Sequence, residues 1–198
     1  MGLSFSFLVY SNGGSVDLRE MSSAADALAV VRRLYPRTPY EHVDTQRLLT
    51  ACVQPRGRLA IGVFGDGVLI ATEDAHLYDP DILNRRFFKL DEWTDIQLLT
   101  SASFNDMFAF GRWRSAVMTR CLSVNVRAGV WRDDGTPEAF EGGQAASAER
   151  WLDLCNAALA STLRLAGDVS PYVANAVDWD DVELHVFARS DRPSQGSV

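Results

Sequence analysis

A chain of 198 residues with a net charge of -7 and a pI near 4.9 is long enough to bury a core without staples. Its acidity argues against a nucleic-acid partner, because phosphate affinity comes from clustered Lys and Arg. Three scattered cysteines, Cys52, Cys121 and Cys155, with no CxxC or Cys/His ligand spacing, point away from zinc and from a disulfide framework and towards a reducing cytoplasm.

The pattern predicts a first strand over residues 3–10. Its apolar run is too short for a membrane span or a signal h-region, so no membrane role is expected. Met1-Gly2 with Ser6 formally matches a myristoylation pattern, but the strand accounts for the same residues. The glycine-rich loop Ser11-Asn12-Gly13-Gly14-Ser15 comes next, then a helix from about Ala24 capped by Ser22 or Ser23 and stopped by Pro36. Ala24, Ala27, Leu28, Val31, Leu34 and Tyr35 form its apolar stripe. Strand, loop and helix in this order invite a phosphate-binding reading, yet no GxxxxGK[ST], no GxGxxG and no nearby lysine accompany them.

Residues 44–52 read as a short helix with Leu48, Leu49 and Cys52 inward, closed by Pro55. Residues 59–64 and 68–72 read as a hairpin about Gly65-Asp66-Gly67. Asp79-Pro80 opens an expected helix over 81–90 that buries Leu83, Phe87 and Leu90. Ile96, Leu98 and Leu99 mark an incoming strand. Residues 107–113 and 116–126 form the densest strand pattern, a hairpin turning at Arg114-Ser115, with Trp113 opposite Ala116, Gly111 opposite Met118 and Ala109 opposite Arg120. That register puts Asp106 and Arg112 on one face and Arg120 on the other. A further strand over 129–131 leads to a turn at Asp133-Asp134-Gly135. Ser147 caps a helix with Trp151, Leu152, Cys155, Ala158, Leu159 and Thr162 along one stripe, ended by Gly167, and residues 182–188 alternate as a last strand. The expected fold is α+β: residues 1–189 as one domain, with a mostly antiparallel or mixed central sheet carrying three to four helices, and residues 190–198 as a flexible tail.

Chemistry-bearing residues are sparse. Asp178, Asp180, Asp181 and Glu183 cluster around Trp179 without EF-hand spacing, so no metal and no other cofactor is expected. His42, His76 and His185 are isolated, no GxSxG elbow occurs, and Cys121 and Ser123 sit mid-strand, which leaves no catalytic set. Asp106, Arg112 and Arg120 are charged positions in an apolar hairpin, and a buried arginine needs a carboxylate or an anionic ligand.

The order of LVY, NDMFAFGRW, TRCLSVNVRAGVWRDDGTPEAFE and VDWDDVELHVFARSD resembles an uncharacterised bacterial family of unknown function, found mainly in GC-rich Gram-positive organisms. The similar positions are Asp106 with Phe108 and Phe110, Leu122-Ser123, and Phe140-Glu141. Members carry a His-Ser pair before the aspartate strand where this chain has Ala102-Ser103, so the resemblance implies a shared fold and no shared histidine chemistry. The expected function is a non-catalytic cytoplasmic interaction domain, an inhibitor or immunity-like partner of a basic protein. The alternative is an enzyme or binder of a small anion using Asn12, Gly13, Gly14 and Ser15 with Asp106, Arg112 and Arg120. Oligomeric state is not legible.

Overall fold

A computed structural model describes residues 4–73, 75–165 and 176–190, residues 75 and 76 by backbone alone. The strands are β1 (Phe5–Ser11), β2 (Tyr40–Arg47), β3 (Arg58–Phe64), β4 (Gly67–Thr72), β5 (Asp95–Ala102), β6 (Met107–Arg114), β7 (Val117–Asn125), β8 (Gly129–Gly135) and β9 (Glu183–Arg189). They form one sheet in the order β2-β9-β3-β4-β1-β5-β6-β7-β8, and every pairing is antiparallel. The α-helices are α1 (Ala24–Leu34), α2 (Leu48–Ala51) and α3 (Trp151–Leu163).

Both faces of the central strands are covered, which is why β1 is buried at every position and reads as a nearly continuous apolar run, broken only by Ser6 before it ends at Ser11. On one face, Phe5, Phe7, Val9, Leu99, Phe108, Phe110, Leu122 and Val124 pack under α2 and α3 through Leu48, Leu154, Cys155, Ala158 and Leu159. On the other, Leu8, Tyr10, Ile61, Ile70 and Leu98 pack under α1 through Ala27, Val30, Val31 and Leu34, and under Leu77, Leu83, Phe87 and Leu90. The α1 cap is reciprocal: Ser23 accepts from the Asp26 amide while Asp26 accepts from the Ser23 amide.

The α+β expectation is overturned. The fold is mostly β: the described residues form a nine-stranded antiparallel sheet with three α-helices, one of them only four residues long. Two expected helices account for the change. The first half of 44–52 belongs to edge strand β2, which is exposed on most of its length and so carries no apolar alternation; only Leu48–Ala51 is helical, and Leu49 faces solvent. Residues 81–90 form two 3-10 turns, Pro80–Ile82 and Arg85–Phe88, because Leu83 is extended between them and Asn84 caps the second turn. Leu83, Phe87 and Leu90 are nonetheless buried as the pattern implied.

The hairpin register also differs. Ser115 and Ala116, both at positive φ, make the turn, so Arg114 pairs with Val117 and Trp113 with Met118. A bulge between Arg112 and Trp113 then sets Gly111 against Cys121 and Ala109 against Ser123. The extra residue exchanges faces: Leu122 and Val124 stand with Phe108 and Phe110, and Arg112 stands directly opposite Arg120. Asp133-Asp134-Gly135 continue β8 rather than turning it. Helix α3 ends at Arg164 in the left-handed conformation; Gly167 and the expected tail from residue 191 lie outside the described residues.

Candidate functional site

The two hairpin arginines share one sheet face, at the end near α3, and each is held by carboxylates. Arg112 grips Asp95 of β5 with Nε to Oδ1 at 2.9 Å and Nη2 to Oδ2 at 2.5 Å, while its Nη1 reaches Glu138 Oε2 at 2.6 Å. Arg120, 1% exposed, grips Glu141, 2% exposed, with Nε to Oε1 at 2.8 Å and Nη2 to Oε2 at 2.6 Å. Its Nη2 also pairs with Asp133 Oδ1 at 2.7 Å, and its Nη1 donates to the Asp134 carbonyl at 3.0 Å. The bidentate fork suits arginine and no other cation. Hydrogen bonding by Asp95 raises the Arg112 pKa further above its ordinary value. Burial pushes the Arg120 guanidinium down, but Glu141 and Asp133 more than offset it, so its pKa too is raised. Both groups stay cationic.

The segment that supplies these carboxylates is shaped by one of them. Glu141 Oε1 accepts from the Glu138 amide at 2.8 Å, Glu138 and Glu141 cap the 3-10 turn Ala139–Glu141 reciprocally, and Phe140 lies edge-on to Phe110 with centroids 4.9 Å apart. The Arg120–Glu141 pair therefore fixes the path of the chain from β8 to α3.

The other expected site residues lie elsewhere. Asn12, Gly13, Gly14 and Ser15 form the bend after β1, where both glycines have φ near 100°. Asn12 Oδ1 accepts from the Thr94 amide at 3.2 Å, and Ser15 Oγ accepts from Arg164 Nε at 2.9 Å. The loop is at the Arg112 end of the sheet, since Ser11 pairs with Asp95. Asp106 is at the opposite end, in the left-handed conformation before β6, about 20 Å from Arg112 along the strand. The structure brings loop and arginines to one end, leaves Asp106 out, and answers both guanidinium charges with protein carboxylates.

His185 contacts Thr45 Oγ1 at 3.0 Å and the Ser22 carbonyl at 3.1 Å, with His42 edge-on to it. Strand β9 is six strands from β7, roughly 29 Å from Cys121 and Ser123. His76 has no described side chain. Asp178 caps the 3-10 turn Trp179–Asp181 through the Asp180 amide at 2.9 Å, and Asp180 faces Arg47. No group of three metal-ligating side chains occurs among the described residues.

Sequence reasoning missed Asp95, Glu138 and Asp133, whose roles depend on pairing across strands. Glu141 was within reach, since Phe140-Glu141 belongs to the pattern that carries the family resemblance. It also missed the outer edge of the sheet. Strand β8 pairs with β7 alone among the described residues, and a bulge between Ser123 and Val124 leaves Trp131 as the extra residue. Trp131 is 46% exposed and lines an open concavity of about 370 Å³ with Tyr78, Asp79 and Arg132. Arg132 pairs there with Asp79 at 3.5 Å and Asp81 at 3.0 Å. A second open concavity, of about 500 Å³, lies between Asp17, Arg19, Glu20, Gly65 and Asp66, where the Arg19 guanidinium lowers the Asp17 pKa to about 2.

All three thiols are buried. Burial pushes Cys52 up to about 11 and Cys155 up to about 12; burial, then Asp81 and Asp79, push Cys121 up to about 12. Because these folded values exceed the ordinary 9.0, the thiols' share of stability is complete below pH 9 and is lost as pH rises towards 11–12. Native protein at about pH 8 will leave an aromatic disulfide reagent unreacted, and urea will release all three thiols. Rapid reaction of any one in the native state would contradict this burial.

These features define a mostly-β protein with a covered sheet, a buried double ion-pair centre and one aromatic-bearing free edge. The model of a family described as "Family of unknown function (DUF6928)" matches residues 5–187, and the chain belongs to that family. No curated protein matches the chain, and no solved structure does. No helix among the described residues is long and apolar enough to cross a membrane.

Proposed function

We propose that this protein is a non-catalytic interaction domain whose partner is a basic protein. The observation that carries the reading is the charge arrangement at the β6–β8 end of the sheet. Arg112, Arg120 and Arg132 each face two carboxylates, respectively Asp95 with Glu138, Glu141 with Asp133, and Asp79 with Asp81. Asp106 and Asp134 bring the carboxylates to eight, while Arg114, Arg127 and Arg150, the last bonded to the Glu141 carbonyl, bring the cations to six. The excess is acidic and surrounds exposed apolar side chains, Val117, Val130 and Trp131. Acidic surface with apolar centres steers and then holds a cationic partner. A bacterial cytoplasmic setting agrees with a chain whose basic residues are all arginine except Lys89, and with an inhibitor or immunity-like role.

The test is native mass spectrometry of the protein purified gently from its own host, followed by association kinetics with whatever protein co-purifies. A stoichiometric basic partner whose association rate drops at about 0.5 M salt supports the proposal. An acidic partner, or a rate indifferent to salt, removes it. A co-purifying small anion supports the alternative reading at the Asn12–Ser15 loop.

A further inference from the structure

Resting on the basic-partner reading, we propose that the partner docks as an extended basic segment added to the outer edge of β8, with one Lys or Arg side chain seated in the Tyr78–Trp131 concavity. Strand addition needs a free edge, and specificity needs pockets for alternate side chains of the added strand. β8 supplies the first: its outer side meets no strand among the described residues. The bulge supplies the second, because an extra residue re-aims its side chain and here sets Trp131 beside Tyr78, Asp79 and Arg132 at the rim.

The chemistry of that concavity selects a cation. Tyr78 and Trp131 line it, and aromatic rings attract an ammonium or guanidinium brought over their faces. Arg132 lines it as well, but its charge is answered by Asp79 and Asp81. Asp134, two residues along β8, projects to the same side as Arg132, since Cys121 opposite it and Ser123 opposite Arg132 share that face. One guanidinium therefore stands among three carboxylates. The field of Asp81, Asp79 and Asp134 is felt beneath the strand, where each raises the pKa of the buried Cys121 thiol.

The two sheet edges are not equivalent. β2, at the far edge, spreads Glu41, Asp44 and Arg47 along its length and exposes one lone apolar side chain, Val43, at its bulge, an interrupted edge that discourages pairing. β8 presents Val130 and Trp131, 40% and 46% exposed, before its charges begin. The added strand would lay apolar or small residues against Val130 and basic residues towards Trp131 and Asp134.

The probe is an end-capped heptapeptide of alternating Arg and Val, with a Glu/Val heptapeptide as charge control and an Arg/Val version N-methylated at alternate backbone amides. Binding is followed by amide chemical shifts and hydrogen exchange on the full chain. The expected result is saturable binding of Arg/Val alone, slowed exchange at Val130 to Asp133, and at least about tenfold weaker binding for Trp131→Ala and for the N-methylated peptide. Trp131→Ala removes an exposed ring, and its unchanged spectrum elsewhere serves as the folding control. If Arg/Val binds but maps to the Asp17–Asp66 concavity or to β2, or ignores N-methylation, edge docking fails while the basic-partner reading survives. Equal binding of Arg/Val and Glu/Val overturns both. No binding of either, or a concentration-dependent dimer that protects Val130 to Asp133, overturns the proposed occupant.

Discussion

Replacing Glu141 with alanine destabilises the protein by about 3 kcal/mol, the cost of stranding one member of a buried ion pair. The value sits at the lower end of that range because Asp133 and the Asp134 carbonyl still hold Arg120. The loss also frees the Glu138 amide and the reciprocal cap of the Ala139–Glu141 turn. Urea unfolding reads it as a lower midpoint at unchanged slope. The paired replacement Arg120→Met with Glu141→Leu should recover the ion-pair share of the loss, since apolar side chains of similar volume need no charge partner, but not the share due to the Glu138 amide, which still lacks its acceptor. A loss below about 1 kcal/mol for Glu141→Ala, the scale of an exposed pair, would mean that solvent reaches Arg120.

The second large effect falls beside it. Phe110 is fully buried, packs edge-on against Phe140 and stands across from Leu122. Phe110→Ala should cost about 3–5 kcal/mol, transfer and cavity terms together. Phe104, 73% exposed on the turn before β6, is the matched control, and its alanine variant should stay within about 0.5 kcal/mol of the parent. Thermal or urea melts decide the matter: similar losses at both positions would refute the assigned burial of Phe110.

Much of the sheet was legible because burial on both faces leaves an unmistakable signal. FSFLVY, RLAIGVF and the Phe108–Phe110 region are continuous or aromatic-rich runs, and the helix of α1 announces itself through Ser23, its stripe and Arg32-Arg33. β2 was not legible, for an edge strand wet on both sides has no periodicity to show. The 3-10 turns from Pro80 to Phe88 bury the residues a helix would have buried, so apolar spacing alone cannot separate the two; the distinction rests on Leu83 being extended. The hairpin bulge was invisible because Arg112 and Trp113 carry no glycine or turn residue to announce it. That one missed residue also hid the site, since it decides whether Arg112 and Arg120 share a face. The carboxylates that satisfy them come from β5, β8 and the Ala139–Glu141 turn, and such meetings across the sheet leave no trace in local spacing.

The strand order has a temporal side. β9, latest of the nine in sequence, lies between β2 and β3, among the earliest. During synthesis β3 and β4 can pair as a local hairpin, and β5 to β8 can follow as a meander of neighbours, while β2 and the outer side of β3 wait with open edges for a strand more than a hundred residues downstream. Closing so distant a contact is slow, and an open edge left waiting is an invitation to pair wrongly. Of the two waiting edges, β2 carries Glu41, Asp44 and Arg47, which disfavour stray pairing, whereas β3 is apolar along most of its length and is the edge that a wrong strand would take.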